Sequence, residues 1–159
     1  YRLEVPAIAA VNGPAIGAGL DLCCMCDIRI GSTQAKVGST FVNLGIIPGD
    51  GGAWFLPRLI GIQRAAELMF SGRIVSAAEA LSLGLFMETV EPEGLLARAH
   101  ELAAQFAGKP REALRIAKRL LWAGQRLELG DFLDYCASQQ SLCHTSEQHA
   151  AALQAFMGR

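Results

Sequence analysis

The sequence predicts an α/β fold with parallel strand pairing and crossover connections, followed by a helical region. Three observations predict it. Short apolar runs without polar alternation, such as "VPAIAAVN", are what strands covered on both faces look like. Strand-like runs alternate with turn signals and helix-period segments, the order that parallel pairing with crossovers requires. Beyond "LFMETV" the pattern changes, and only amphipathic helical segments remain.

Taken in order, "VPAIAAVN" is a strand that ends at the turn signal "NGP". "GLDLCCMC" is a buried helix of about two turns, and "DIRIG" is the second strand. "AKVGS" continues as a short strand and "GIIPGDGGAWFL" as glycine loop, and "QRAAELMFSG" is a helix stopped by Gly72. Ser76 and Glu79 have capping-box spacing, with Gly84 as the stop of that helix. "GLLARAHELAAQFAG", "PREALRIAKRLLWAG", "DFLDYCASQQSLC" and "SEQHAAALQAFM" then follow as helices, with cap or breaker residues between them. Met69, Phe70, Phe106 and Trp122 read as core stripes. The expected division is an α/β part over 1–93 and a helical part over 94–159.

With 159 residues, 52% hydrophobic and 18% charged, the chain is long and apolar enough to bury a core, which excludes disorder. A net charge of −1 gives no basic footprint, so nucleic acid is not an expected partner. Residues 5–26 are apolar, but Pro6, Asn12, Gly13, Pro14 and Asp21 interrupt them, and in lipid those breaks would leave backbone groups unpaired. No membrane span is expected. Five cysteines without disulfide-framework spacing fit free thiols in a reducing compartment, so the expected location is cytoplasmic.

The stretch most in need of a chemical reading is "NGPAIGAGLDL", a permissive backbone directly before Asp21 in an apolar run. It is not a dinucleotide fingerprint, because Leu22 stands where the third glycine belongs. It has no Walker lysine and no G-x-S-x-G elbow. What remains is a helix N-terminus whose unpaired N–H groups a ligand oxygen can approach closely past small residues, an oxyanion hole in prospect. Asp21 is either a helix-start acid favoured by the dipole or, given its apolar surroundings, a tuned carboxylate.

"AAVNGPAIGAGLDL", "CDIRI", "LGIIPGDGG", "LPRLIG" and "SGRIVSAAEALSLGL", in this order and spacing, resemble the crotonase superfamily, the enoyl-CoA hydratase/isomerase group. The resemblance runs from about residue 5 to the end. It implies a crotonase-like ββα superhelix portion followed by a C-terminal helical region, and the C-terminal part of a longer polypeptide. It implies a coenzyme A thioester as substrate, with no cofactor and no metal. It also implies self-association as a homotrimer or hexamer through the helical region.

For the site, the resemblance makes Ala18 the residue whose N–H holds the thioester oxygen, flanked by Gly17 and Gly19. It makes Asp21 the first acid/base carboxylate. The position of the hydratases' second glutamate, four residues before Gly45, is held by Phe41, a departure from two-glutamate hydration. Asp50 is the candidate substitute, one position after the site where some isomerases carry an aspartate, which here is Gly49. Asp50 could equally bond only its own turn. Phe41, Pro48, Gly49 and Trp54 are the expected acyl-pocket positions, with ordinary core as the other reading of Phe41 and Trp54. The reaction implied is hydration or isomerisation of an enoyl-CoA; the alternative is a homologue serving as a thioester-binding or oligomerisation module. Cys23, Cys24 and Cys26 read as core thiols, since no second CxxC pair exists for zinc. A metal site among Cys136, Cys143, His144 and His149 is not expected. Arg111, Arg115, Lys118 and Arg119 share a helix face that is either solvated or open to a coenzyme A phosphate.

Overall fold

Residues 3–158 are described by a computed structural model, in which the chain divides into two compact units. One is Ala7–Leu102; the other joins residues 3–6 to 103–158.

The first unit repeats one device. β1 (Ile8–Val11) and β2 (Pro14–Ile16) are separated only by Asn12 and Gly13, and α1 (Ala18–Met25) follows. β3 (Ile28–Ser32) and β4 (Lys36–Gly38) repeat the pair and are followed by a 3₁₀ turn, Phe41–Leu44, and by α2 (Gly52–Ile60) and α3 (Ile62–Ser71). β5 (Val75–Ser76), α4 (Ala77–Ser82) and β6 (Glu88–Val90) complete the unit. β1 and β3, the first strands of the two pairs, share one sheet with β6, in the order β1-β3-β6, and the second strands share another with β5, in the order β2-β4-β5, where β5 runs antiparallel to β4. β1 lies parallel to β3 with Ile8 opposite Ile28, and β2 lies parallel to β4 with Pro14 opposite Lys36. A parallel neighbour cannot be reached by a tight hairpin, so each pair of strands needs a crossover, and α1 supplies the first. This is the ββα winding expected from the sequence. Leu20, Ile30, Val37, Leu56, Leu68 and Val75 form its core, each at most 2% exposed.

Local signals account for most element ends. α3 stops at Gly72, whose φ of 60° is the left-handed cap geometry, and Ser76 Oγ accepts the Glu79 N–H at 3.3 Å to start α4. Only half of the capping box forms, because the Glu79 carboxylate pairs with Arg73 at 2.7 Å. The segment read as glycine loop is loop only as far as Gly51; from Gly52 it is α2. Pro57 inside that helix removes one intrahelical hydrogen bond, and burial of Phe55, Leu56 and Ile60 along one face offsets the loss. Phe70 is not core: it is 78% exposed, since α3 turns Ala65 and Leu68 inward and Phe70 lies about 200° around the helix from Leu68. Met69, Phe106 and Trp122 are half-buried.

α5 (Leu95–Ala107) begins in the first unit, and α6 (Arg111–Ala123), α7 (Leu129–His144) and α8 (Glu147–Met157) belong to the second. Of the α6 basic face, Arg111 and Arg119 are exposed, whereas Lys118 and Arg115 are engaged within the unit. Lys118 is 7% exposed and donates to the Val5 carbonyl at 2.7 Å, and Arg115 pairs with Glu112 at 3.0 Å and with Glu4. Among the described residues, no helix is long and apolar enough to cross a membrane.

Candidate active site

The glycine turn does what its sequence permits. Gly17 leaves β2 with φ 56° and ψ −121°, a conformation closed to residues with a Cβ, and its N–H donates to the Gly38 carbonyl at 2.8 Å. That bond ties the turn to β4. The first helical bond of α1 is Asp21 N–H to the Gly17 carbonyl at 3.1 Å, so the N–H groups of Ala18, Gly19 and Leu20 lie ahead of the ladder. Of these three residues Ala18 is exposed, Gly19 half-buried and Leu20 buried.

Asp21 sits one turn deeper and is 1% exposed. Its Oδ2 accepts the N–H of Gly52, the first residue of α2, at 3.1 Å. A helix N-terminus thus faces a carboxylate that burial has stripped of water. Burial raises the Asp21 pKa above the ordinary aspartate value, the Gly52 hydrogen bond offsets part of the rise, and the Asp50 charge adds to it. Gly52 is required for a steric reason: a Cβ there would run into Asp21 Oδ1.

Phe41 heads the 3₁₀ turn and lays its ring against the glycine turn, 3.6 Å from where a Cβ on Gly17 would stand. Among the sequence-expected residues, then, Gly17, Ala18, Gly19, Asp21 and Phe41 share one locality, and Asp50 lies close enough to act on Asp21 through its charge. Pro48 is half-buried and Gly49 exposed in the loop that leads to Asp50. Trp54 is 37% exposed and engaged on its own helix: the Arg58 guanidinium lies 3.9 Å above its ring, and Phe55 meets it edge-on with centroids 4.8 Å apart.

Two residues escaped the sequence reading. Gly52 was one of several glycines, and nothing local distinguishes the one that must leave room for a carboxylate 31 positions earlier. Arg29 carried a usable signal, a cation between two isoleucines in a strand. It is 7% exposed, with Nε donating to the Leu85 carbonyl at 2.8 Å and Nη1 to the Cys26 and Cys23 carbonyls at 2.7 and 3.5 Å.

Burial pushes the Cys24 thiol up to about 12 and raises Cys23 as well, which disfavours the thiolate at both. In the second unit, His144 Nδ1 and His149 Nε2 meet at 3.3 Å across the corner between α7 and α8. Among the described residues there is no group of three His, Cys, Asp or Glu side chains placed to hold a metal ion.

A sequence model of the enoyl-CoA hydratase/isomerase family matches residues 1–159. The chain belongs to that family. It is 36% identical over 155 residues to the crotonyl-CoA hydratase of Syntrophomonas wolfei, covering 98% of this chain and 60% of that protein. The crystal structure of an enoyl-CoA hydratase from Bacillus anthracis superposes with a TM-score of 0.96 at 38% identity, over 99% of this chain and 61% of the other. A Thermobifida fusca protein solved in complex with CoA gives a TM-score of 0.83 at 34% identity, over 98% of this chain and 57% of the other. The chain therefore spans about three fifths of the length of these relatives. For this member of the enoyl-CoA hydratase/isomerase family, the α/β crotonase fold follows from the neighbours as well as from its own ββα winding.

Proposed function

We propose that this chain carries an oxyanion donor and a proton-transfer carboxyl of an enzyme acting on an acyl-CoA, hydrating or isomerising an enoyl-CoA. The observation that carries the reading is the buried Asp21 carboxyl, held by the Gly52 N–H one turn behind the exposed residue Ala18, whose N–H precedes the helical ladder. A thioester carbonyl accepting from Ala18 N–H would have its developing negative charge stabilised by a fixed dipole rather than by mobile water. Asp21 would then move a proton at the acyl carbon beside that carbonyl. Its raised pKa suits the task, because a group that must both take and return a proton works best when neither form is overwhelmingly favoured. The coenzyme A thioester enters as substrate and not as a cofactor, and Gly17, Gly19, Phe41, Pro48, Gly49 and Trp54 are proposed to contact the thioester and its acyl chain.

Relatives named hydratases support hydration, and Phe41 pulls the other way. Adding water needs a second group to activate it. The Phe41 ring, seated against Gly17, offers none, so Asp50 would have to serve. Moving a double bond needs only that one carboxyl take and return a proton. A thioester-binding or oligomerisation module without this chemistry is the second reading, and the Phe41 ring is the observation that favours it. Assembly as a homotrimer or hexamer through residues 94–159 is proposed alongside, supported by exposed apolar side chains such as Leu121, Leu133 and Phe156, which are 56–76% exposed.

The test is Asp21→Asn in the polypeptide as its gene encodes it, assayed for water addition to a 2-enoyl-CoA and for conversion of a 3-enoyl-CoA. Turnover should fall about a hundredfold or more, the scale of a positioned proton-transfer group. Undiminished turnover would remove Asp21 from the chemistry. No turnover by the parent protein, with CoA thioester still bound, would leave the module reading standing.

A further inference from the structure

Arg29 is a buried cation, 7% exposed, whose hydrogen bonds run to backbone carbonyls. Such a group is costly to bury, and its presence calls for an account. Two of its acceptors, Cys23 and Cys26, belong to the last turn and cap of α1, where the helix dipole favours a cation; the Cys23 carbonyl also accepts the Cys26 N–H at 3.2 Å, and Arg29 adds a second donor there. The third, Leu85, precedes β6, and the Arg29 carbonyl in turn accepts the Met87 N–H at 2.9 Å. Arg29 thus locks three pieces together: the end of α1, the strand β3 on which it lies, and the segment entering β6.

α1 has eight residues, about 12 Å at the usual rise per residue, too short to absorb a displacement by bending. Its other end holds Ala18 and Asp21. We infer that Arg29 is a positioning residue: by clamping the carbonyl end of α1 to β3 and Leu85, it sets where the Ala18 N–H and the Asp21 carboxyl stand at the opposite end. The planar guanidinium fits this role better than an ammonium, since its donors diverge in a fixed fork toward acceptors on two separate segments.

The inference rests on the proposed role of Asp21, and the experiment separates the two. Arg29→Lys and Arg29→Gln are made in the polypeptide as its gene encodes it, beside Asp21→Asn, and rates are normalised to folded protein. With Arg29→Gln, kcat should fall about a hundredfold, the cost of misplacing reacting groups by about 1 Å, while KM changes by less than about threefold. Arg29→Lys should recover part of the loss. The acid limb of the rate profile should also move to higher pH, because a displaced α1 weakens the Gly52 hydrogen bond that holds the Asp21 pKa down. Lower melting temperatures with parental kcat and an unmoved limb would make Arg29 merely structural and overturn the inference. Should Arg29→Gln fail to fold, Arg29→Lys decides by the same two readouts. Full activity of Asp21→Asn would instead overturn the reading beneath it, whatever the Arg29 variants do.

Discussion

Two ways of holding charge can be compared: the carboxylate and the cation buried in the first unit, and a side-chain pair at the surface of the second. In the first, Asp21 is 1% exposed and held by a backbone N–H, and Arg29 is 7% exposed and held by backbone carbonyls. In the second, Arg115 and Glu4 meet side chain to side chain, with 26% and 53% of their surfaces exposed. A side-chain ion pair at the surface can re-form in many geometries and is screened by salt. A charge gripped by the backbone has one geometry, set by the fold. The first arrangement can specify chemistry, and the second mostly decorates a surface.

The sharpest way to break this contrast is Gly52→Ala. The added methyl would occupy the space of the Asp21 carboxylate, which would have to leave its present place. Overpacking of this kind costs about 1–3 kcal/mol, and the displaced carboxyl should lose about a hundredfold in turnover. Thermal melting and steady-state rates on the same sample check both. Parental values would mean that the grip on Asp21 is loose.

A second, smaller effect concerns stability. The Asp21 pKa is raised in the fold above an ordinary value of 3.8, so the folded state binds its proton more tightly than the unfolded chain does. The stabilisation by that proton is fully present below pH 3.8 and is lost as pH rises through the folded value. Above it, the buried charge is a burden. Asp21→Asn keeps an acceptor for the Gly52 N–H and removes the charge, so this inactive variant should melt higher than the parent at neutral pH, with the gap closing toward pH 4. A variant that melts lower at pH 7 would contradict the assigned burial cost.

How much of this was legible beforehand follows from the range of each interaction. β1, α1 and β3, the stop at Gly72 and the Ser76 cap were readable because apolar runs and cap residues act within a few positions. So was the unusual setting of Asp21, a lone acid in an apolar run. β2 escaped notice because three residues opening on Pro14 look like turn, and only pairing with β4 makes them a strand. α2 was hidden by the glycines at its start and by Pro57, with burial of Phe55 and Leu56 deciding the outcome. Gly52 and Lys118 owe their roles to partners 31 and 113 positions away, beyond any local pattern, and Arg29, a visible cation in an apolar strand, also needs Leu85, 56 positions away.

Asp50→Asn sharpens the comparison from inside the site. Asp50 is exposed, yet its charge helps to raise the Asp21 pKa. Removing that charge should move the acid limb of the rate profile to lower pH, and the shift should shrink as salt is added, since an exposed charge is screened. The accompanying kcat separates the two readings of Asp50. If it carries a proton in place of the acid missing at Phe41, kcat falls steeply along with the shift; if it only shapes its turn, kcat stays near the parental value.

The smallest effect is expected at the surface pair. Glu4→Gln removes the carboxylate that meets Arg115 but leaves Glu112 beside the same guanidinium at 3.0 Å. Arg115 therefore keeps a partner, and the exposed pair should be worth about 0.2–1 kcal/mol. In 1 M salt, where the screening length is about 3 Å, the difference should fall within error. Denaturant midpoints at low and high salt measure it. A salt-independent loss of several kcal/mol would show that this surface pair, too, is held in one geometry, and the contrast with the backbone-gripped charges would disappear.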